Sequence, residues 1–301
     1  MASFRSGFVG VLGQTNVGKS TFLNAVMGTK LLATSSKPQT TRNRVRCVYT
    51  REEAQIVFVD TPGLHRPRNK LGRHVQREAL RALRGLDLVV YMVEPWGRVH
   101  RSDQLALERV TSADRPTLLL VNKIDLARSN DLEETLLAYD GLGLFAELVP
   151  ISAERKTNLD EAVRVIASYL PQRGALFPAN VTTDSGEEFL VGELIREKVV
   201  RHTTQEIPYA TAVSVKWLTT DASGIVNIRA EIVVEKESQK GIIIGAGARM
   251  IKQIGTEARE DIESLLGARV FLDMRVRVER GWTQSDRAID ELAGDRGAGE
   301  G

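Results

Sequence analysis

Phe8-Val9-Gly10-Val11-Leu12-Gly13-Gln14-Thr15-Asn16-Val17-Gly18-Lys19-Ser20 runs from a strand-forming stretch into a full match to the pattern GxxxxGK[ST], with Thr21-Phe22-Leu23-Asn24 behind it. In such a turn successive backbone N–H groups wrap a β-phosphate, the Lys19 ammonium reaches the β- and γ-phosphates, and the Ser20 hydroxyl meets Mg²⁺. A helix beginning at Thr21 points the positive end of its dipole at the same phosphates. A glycine-rich turn can match by chance, but the strand before and the helix after favour a phosphate loop with contacts from Gly13 through Thr21: Gly13, Gln14, Thr15, Asn16, Val17, Gly18, Lys19, Ser20 and Thr21.

Three further strand ends carry chemistry in the same order along the chain. The apolar run Ile56–Val59 ends in Asp60-Thr61-Pro62-Gly63. An acid there can hold Mg²⁺ through water, and the Gly63 N–H can face a γ-phosphate; the plainer reading is an ordinary strand-to-turn aspartate. Thr117–Val121 runs into Asn122-Lys123-Ile124-Asp125. A carboxylate at Asp125 can accept from N1–H and the exocyclic amino group of guanine, a donor pair adenine lacks, so the wrong base leaves that carboxylate unpaired at about 1–3 kcal/mol or more. Leu148–Ile151 leads into Ser152-Ala153-Glu154, whose backbone amides can meet the guanine O6, although Ser152 alone would pass for a helix cap.

The periodicity predicts strands at Phe8–Leu12, Val45–Tyr49, Ile56–Val59, Leu88–Val93, Thr117–Val121 and Leu148–Ile151. Helices are expected after Ser20, around Leu71–Arg84, Ser102–Thr111 and Leu132–Tyr139, and from Leu159 to Tyr169. This is an α/β pattern, a doubly wound and mostly parallel sheet with its loops at the carboxyl ends of the strands. Val45–Tyr49 and Ile56–Val59 are close enough in sequence to pair as a hairpin, giving one antiparallel edge.

At 301 residues the chain has room for one or two domains. Its net charge of +2 makes no case for nucleic acid by itself, so any such contact needs a local basic surface. The single cysteine, Cys47, excludes an internal disulfide and suits a reducing compartment. The apolar runs Leu86–Val93 and Thr117–Val121 are too short to span a bilayer. Arg5 followed by Gly7–Leu12 mimics a secretion signal, but the phosphate loop directly behind it argues against cleavage.

Pro171 to Pro178 breaks the last helix of this pattern. Beyond it the expected order is helix Glu188–His202, strands Tyr209–Trp217 and Ile225–Glu235, helix Ala248–Leu266 and strand Arg269–Arg280. In the last strand Val270, Leu272, Met274, Val276 and Val278 alternate with Arg269, Asp273, Arg275, Arg277 and Glu279, so one face is buried and one is wet. The mixed charges of the wet face suit a solvated surface, with an RNA contact as the other reading. Ala293–Gly301, rich in glycine, reads as disordered. The expected division is 1–172, a linker 173–186, a second domain 187–281 and a tail 282–301.

The ordered series GxxxxGKS, a threonine-containing loop, DxPG, NKxD and SAE resembles a translation-factor-related GTPase. Lys37-Pro38-Gln39-Thr40-Thr41-Arg42 and Asp60-Thr61-Pro62-Gly63-Leu64-His65 narrow the resemblance to the Era family, over nearly the whole chain to about Trp282. It implies a P-loop NTPase domain of the TrmE-Era-EngA kind whose Mg²⁺ is held by Ser20, Asp60 and Thr41, with Thr40 the lesser candidate for the last place. The implied nucleotide set is the phosphate loop with Asp60, Thr61, Pro62, Gly63, Leu64, Asn122, Lys123, Asp125, Ser152, Ala153 and Glu154. Lys19, Thr41, Asp60, Gly63 and Asn16 are the candidates for catalysis. Many small GTPases carry a water-orienting Gln directly after DxxG; Leu64 stands here and cannot act so. In related GTPases an Asn at the position of Asn16 helps hold K⁺ beside the phosphates; a simple brace of the loop has equal weight.

The second domain resembles a type II KH domain, an α+β RNA-binding module in which a GxxG turn lets a nucleic-acid backbone approach. The matching stretch is Gly245-Ala246-Gly247-Ala248, followed by Arg249 and Lys252. Ala248 replaces the last glycine and Ala246 the usual basic residue. Two readings stay open: the Ala248 methyl blocks the approach or excludes a left-handed conformation, or Gly247 absorbs the turn and Arg249 supplies the charge. The resemblance implies slow GTP hydrolysis coupled to binding of the 3′ end of small-subunit ribosomal RNA during 30S assembly, in the cytoplasm with peripheral contact at the inner membrane face. No DNA partner is expected. The alternative is a GTP-dependent switch whose KH domain docks a protein.

Overall fold

The structure, a computed structural model, describes residues 4–35, 37, 42–60, 70–82, 84–101, 103–104, 107, 115–128 and 130–293. The chain divides into two compact units: Met1–Gly28, Arg44–Leu64 and Arg77–Asp184 form the first, and Thr29–Asn43, His65–Gln76 and Ser185–Gly301 the second.

The first unit is built on six strands, β1 (Arg5–Gly13), β2 (Val45–Thr50), β3 (Ala54–Asp60), β4 (Leu88–Val93), β5 (Thr117–Val121) and β6 (Glu147–Pro150), in the order β2-β3-β1-β4-β5-β6. Only β2 runs antiparallel, paired with β3 as the hairpin spacing implies. The central strands β4 and β5 are buried along their whole length, as strands with helices on both faces must be. Leu118, Leu119 and Leu120 are fully buried, each worth about 1.5–3 kcal/mol. Order reverses at β1, so the loop after Gly13 opens at the switch point where α/β sheets place ligands.

Helices α1 (Lys19–Met27), α2 (Lys70–Ala82), α3 (Asp131–Asp140) and α4 (Leu159–Ser168) lie close to the expected spans. Most of the helix expected over Ser102–Thr111 lies outside the described residues, but Asp103 and Leu107 are helical and buried. β1 starts three residues before Phe8, because Arg5, Ser6 and Gly7 pair in register with Ala54, Gln55 and Ile56 although none is apolar enough to signal a strand. The stretch expected as a linker is fastened to this unit. Gln55, fully buried, accepts from the N–H groups of Leu176 (2.7 Å) and Phe177 (2.8 Å) and donates to the Phe177 carbonyl (2.8 Å). Val48 N–H donates to Thr182 O, and Arg46 pairs with Asp184.

The second unit follows α5 (Glu187–His202), β7 (Ala212–Thr220), β8 (Val226–Val234), α6 (Glu237–Ile244), α7 (Arg249–Leu266), β9 (Val270–Val278) and α8 (Asp286–Ala293). β7 and β8 are antiparallel, β8 and β9 parallel, in the order β7-β8-β9. Leu194 and Ile195 of α5, Ile254, Ala258 and Ile262 at helical spacing on α7, and Ile228, Ala230 and Ile232 at alternate positions of β8 make its core.

Two expectations are corrected here. β7 begins at Ala212 rather than Tyr209, because Ile207–Tyr209, with Pro208 inside it, forms a 3₁₀ turn; the strand then continues through a bulge between Val215 and Trp217 to Thr220. The stretch from 282 is no tail up to Ala293. Trp282 is buried with its Nε1–H donating to Ala210 O (3.1 Å), and Ile289 and Leu292 of α8 pack with it against Leu71, Ala212 and Val233. Residues 294–301, the rest of the segment expected to be disordered, lie outside the described residues.

Candidate functional site

The loop after β1 needs its glycines for clearance as well as for its turn. Gly13 has φ 143°, and a Cβ there would sit 2.4 Å from the Met92 carbonyl; at Gly18, φ 101°, a Cβ would sit 2.3 Å from Asn122 Nδ2. Asn16 also takes a left-handed conformation, φ 64°, which asparagine tolerates better than most residues. Lys19 opens α1 and donates from Nζ to the carbonyls of Gly13 (3.0 Å) and Gln14 (2.8 Å). Burial lowers its pKa, and the Asp60 carboxylate acts in the opposite sense. Asp60, fully buried at the end of β3, accepts from the Ser20 hydroxyl at 3.3 Å.

Ser20 and Asp60 are hard oxygen donors on one side of the loop, the chemistry Mg²⁺ takes when phosphate and water complete its shell. No cluster of three or more His, Cys, Asp or Glu side chains suited to a metal occurs among the described residues. A site that borrows its other oxygens from a nucleotide needs none.

Asn122 fastens three loops. Its Nδ2 donates to Val17 O (2.8 Å), its Oδ1 accepts from Ala153 N–H (2.9 Å), and its own N–H donates to Val93 O (2.8 Å). Asp125 is exposed, and its Oδ1 accepts from the Ser152 hydroxyl at 2.6 Å. The same hydroxyl oxygen accepts from Arg155 N–H (3.0 Å), while Ser152 and Thr157 exchange backbone hydrogen bonds. Ser152 therefore orients the Asp125 carboxylate, a role its place in the tripeptide does not announce. Lys123, at φ 66°, donates to Asn16 O (2.8 Å) and pairs with Glu94, whose other oxygen accepts from Trp96 Nε1–H (2.6 Å).

In the second unit the loop between α6 and α7 runs through three residues of positive φ, Gly245, Gly247 and Ala248. Gly245 has φ 70°, and a Cβ there would lie 2.8 Å from Met250 Cβ. Gly247 (φ 59°) and Ala248 (φ 61°) are both left-handed, so the methyl does not exclude that conformation; it strains it. Arg249 is exposed and donates from Nε to Ala246 O at 3.3 Å, and Lys252 is exposed one turn on.

A family model described as 50S ribosome-binding GTPase matches residues 8–123, and one described as KH domain matches residues 206–283. The GTPase Era of Geotalea uraniireducens (strain Rf4) is 43% identical over 96% of this chain and 97% of its own length. This chain belongs to the GTPase Era family. A second Era relative, from Clostridium kluyveri, is 42% identical over 96% of this chain and 98% of its own length. Two solved structures have the same fold at 33% identity. One is a point variant of Aquifex aeolicus Era bound to GDP·AlF₄⁻, with a TM-score of 0.90 over 98% of this chain and 100% of that one. The other is an Era in complex with MgGDPNP and nucleotides 1506–1542 of 16S ribosomal RNA, with a TM-score of 0.89 over 98% and 99%. The chain thus carries a P-loop GTPase domain, matched over residues 8–123, and a KH domain, matched over residues 206–283.

The first unit brings together the phosphate loop, Asp60, Asn122, Lys123, Asp125, Ser152 and Ala153, with Glu154 exposed on the same loop as Ser152. Thr41 with its alternative Thr40, and Thr61, Pro62, Gly63 and Leu64, lie outside the described residues. Glu94 and Trp96 are not among the residues the sequence points to. They follow β4 with no pattern around them, and only the fold brings Glu94 to Lys123. Beside them a cavity of about 210 Å³ is lined by Gln14, Thr15, Glu94, His100, Asp103 and Tyr139. Asp103 there accepts from the hydroxyls of Tyr91 (2.8 Å) and Tyr139 (2.9 Å), and burial with that carboxylate pushes both phenols up.

Proposed function

We propose that this chain binds GTP with Mg²⁺, hydrolyses it slowly, and uses the nucleotide state to control binding of its KH unit to small-subunit ribosomal RNA near the 3′ end during 30S maturation. One observation carries the nucleotide half: Asn122 ties the phosphate loop to the Ser152 loop while Ser152 holds Asp125, so phosphate and base contacts are set by one hydrogen-bonded frame. In it Asp125 reads the guanine edge, Lys19 meets the β- and γ-phosphates, and Ser20 and Asp60 hold Mg²⁺ with Thr41. The metal, when bound, neutralises charge developing on the transferred phosphoryl oxygens.

The RNA half is supported by the KH match and by the Era relative solved with 16S ribosomal RNA, which favours the small subunit over the large one named in the GTPase family description. The altered loop has no cation at Ala246, but it still turns through positive φ at Gly245, Gly247 and Ala248, which supports RNA over the protein-docking alternative. Leu64 cannot orient water, so we assign part of the charge stabilisation to K⁺ held at Asn16. The reading places the protein in the cytoplasm, with peripheral contact at the inner membrane face; no helix among the described residues is long and apolar enough to cross a membrane. Single-turnover hydrolysis of GTP and ATP, with and without Mg²⁺, tests the enzyme. Mg²⁺-dependent loss of GTP alone supports it, and equal use of ATP overturns the role given to Asp125. Flotation with anionic vesicles tests the membrane contact, and protein left wholly in the bottom fraction removes it.

A further inference from the structure

The sheet of the second unit leaves half of one face uncovered. Trp217 stands opposite Arg229, and Arg229 opposite Asp273; Thr219, Asn227 and Phe271 form the next row, and Glu231 and Arg275 stand opposite each other on the other side. Side chains alternate along a strand, so these residues share the face opposite the one that Ile228, Ala230 and Ile232 bury in the core. Farther along, Ala212 and Val233 of this face are covered by Trp282, Ile289 and Leu292. The cover stops there, and Trp217 and Phe271 stand 40% and 60% exposed.

The two rings lie two strand spacings apart, about 10 Å across the sheet, and about 7 Å apart along it, with Arg229 and Asn227 between them. Lys216, Arg229 and Arg275 supply positive charge. Asp273 pairs with Arg229 at 3.4 Å, and Glu231 is shared by Lys216 (3.3 Å) and Arg277 (3.1 Å). Arg275 is exposed and has no ion pair among the described residues. A protein partner burying these rings would want a contiguous apolar patch, and the polar row between them breaks one up. Separate aromatic rings interleaved with cations are what single-stranded RNA uses: each base offers a π face whatever its identity, and the phosphates between bases meet the cations.

We propose that this half-face is a stacking platform for single-stranded RNA, a contact distinct from the Gly245–Ala248 loop. It rests on the RNA reading above and adds where a second part of the strand lies.

The test uses the full chain and a fluorescein-labelled single-stranded RNA of about 12 nucleotides, within the span such surfaces cover. Trp217→Ala and Phe271→Ala are each expected to weaken binding about ten-fold, whereas Trp217→Phe and Phe271→Tyr, which keep a ring, stay within about two-fold of the parent. Arg275→Ala should flatten the plot of log K against log salt by about 0.7, and the ring variants should leave that slope unchanged. A 4-thiouridine version of the same RNA should crosslink, in the unsubstituted protein, to peptides holding Trp217 or Phe271, a result independent of how any variant folds. If the parent binds this RNA while both alanine variants bind equally well and the crosslinks fall elsewhere, the platform is wrong and the RNA reading stands. If the parent fails to bind, both fall. If the double alanine variant alters only self-association in sedimentation, the face is a protein contact and the proposal is overturned.

Discussion

Lys123 and Glu94 form an ion pair that ties the loop after β5 to the end of β4, and the same ammonium donates to the Asn16 carbonyl of the loop after β1 at 2.8 Å. Both partners are partly exposed, so solvent screens the pair and its contribution is about 1 kcal/mol. Glu94→Gln keeps an acceptor for Trp96 but removes the charge that holds Lys123. GDP and GTP affinity should both fall about five-fold, since the loss is on the base side and does not involve the γ-phosphate. Titration with fluorescent GDP and GTP analogues checks this, and a loss confined to GTP would place Glu94 elsewhere in the mechanism.

Asp125 accepts from Ser152 on one oxygen, and its amide replacement can still do so through Oδ1. Xanthine carries an oxygen where guanine carries its amino group, and an Asn can donate to it. Asp125→Asn should therefore weaken GTP and favour xanthosine nucleotides, by about ten-fold or more in relative affinity given the cost of an unpaired polar group. Competition between the two nucleotides for the variant gives the ratio directly, and unchanged GTP affinity would remove Asp125 from the base pocket.

Asn16 stands exposed in the phosphate loop in a left-handed conformation. With K⁺ held there, turnover in KCl should exceed turnover in NaCl at matched ionic strength, and Asn16→Ala should abolish the difference. Equal rates in the two salts for the parent would leave Asn16 as a brace only.

Ala248 is held at φ 61°, a conformation that costs an L-residue roughly 1 kcal/mol. Ala248→Gly should stabilise the chain by about that amount in denaturant unfolding. Adding Ala246→Lys should steepen the dependence of log K for single-stranded RNA on log salt by about 0.7, the signature of one more phosphate contact. A stable double variant with an unchanged salt slope would mean that RNA does not pass over this loop.

Strand ends, not composition, made the nucleotide domain legible. β1, β3, β5 and β6 each run as an apolar stretch into a loop, and the order of those loops, more than any one of them, pointed to the fold. Glu94 escaped because a lone acid after Val93 has no pattern around it; only the fold brings it to Lys123. In the second unit α6 escaped because Ile242, Ile243 and Ile244 are consecutive and Gly241 precedes them, leaving no helical spacing to read. Its start is fixed by Gln239, whose Oε1 accepts from the N–H groups of Glu235 (3.0 Å) and Lys236 (3.1 Å). α8 was hidden by the glycine-rich composition that follows it, although Trp282, Ile289 and Leu292 bury against β7 and β8. Ala248 shows the opposite limit: a sequence can mark a departure from a pattern without saying whether the backbone follows it.

Coupling between nucleotide and RNA is the centre of the account, and equilibrium filter binding of a short oligonucleotide from the small-subunit rRNA 3′ end measures it. The full chain is loaded in parallel with a non-hydrolysable GTP analogue and with GDP, both with Mg²⁺. Affinity at least about five-fold higher in the GTP-analogue state, the low end of ordinary coupling free energies, is the expected result. Equal affinity in the two states, or no binding in either, would contradict it.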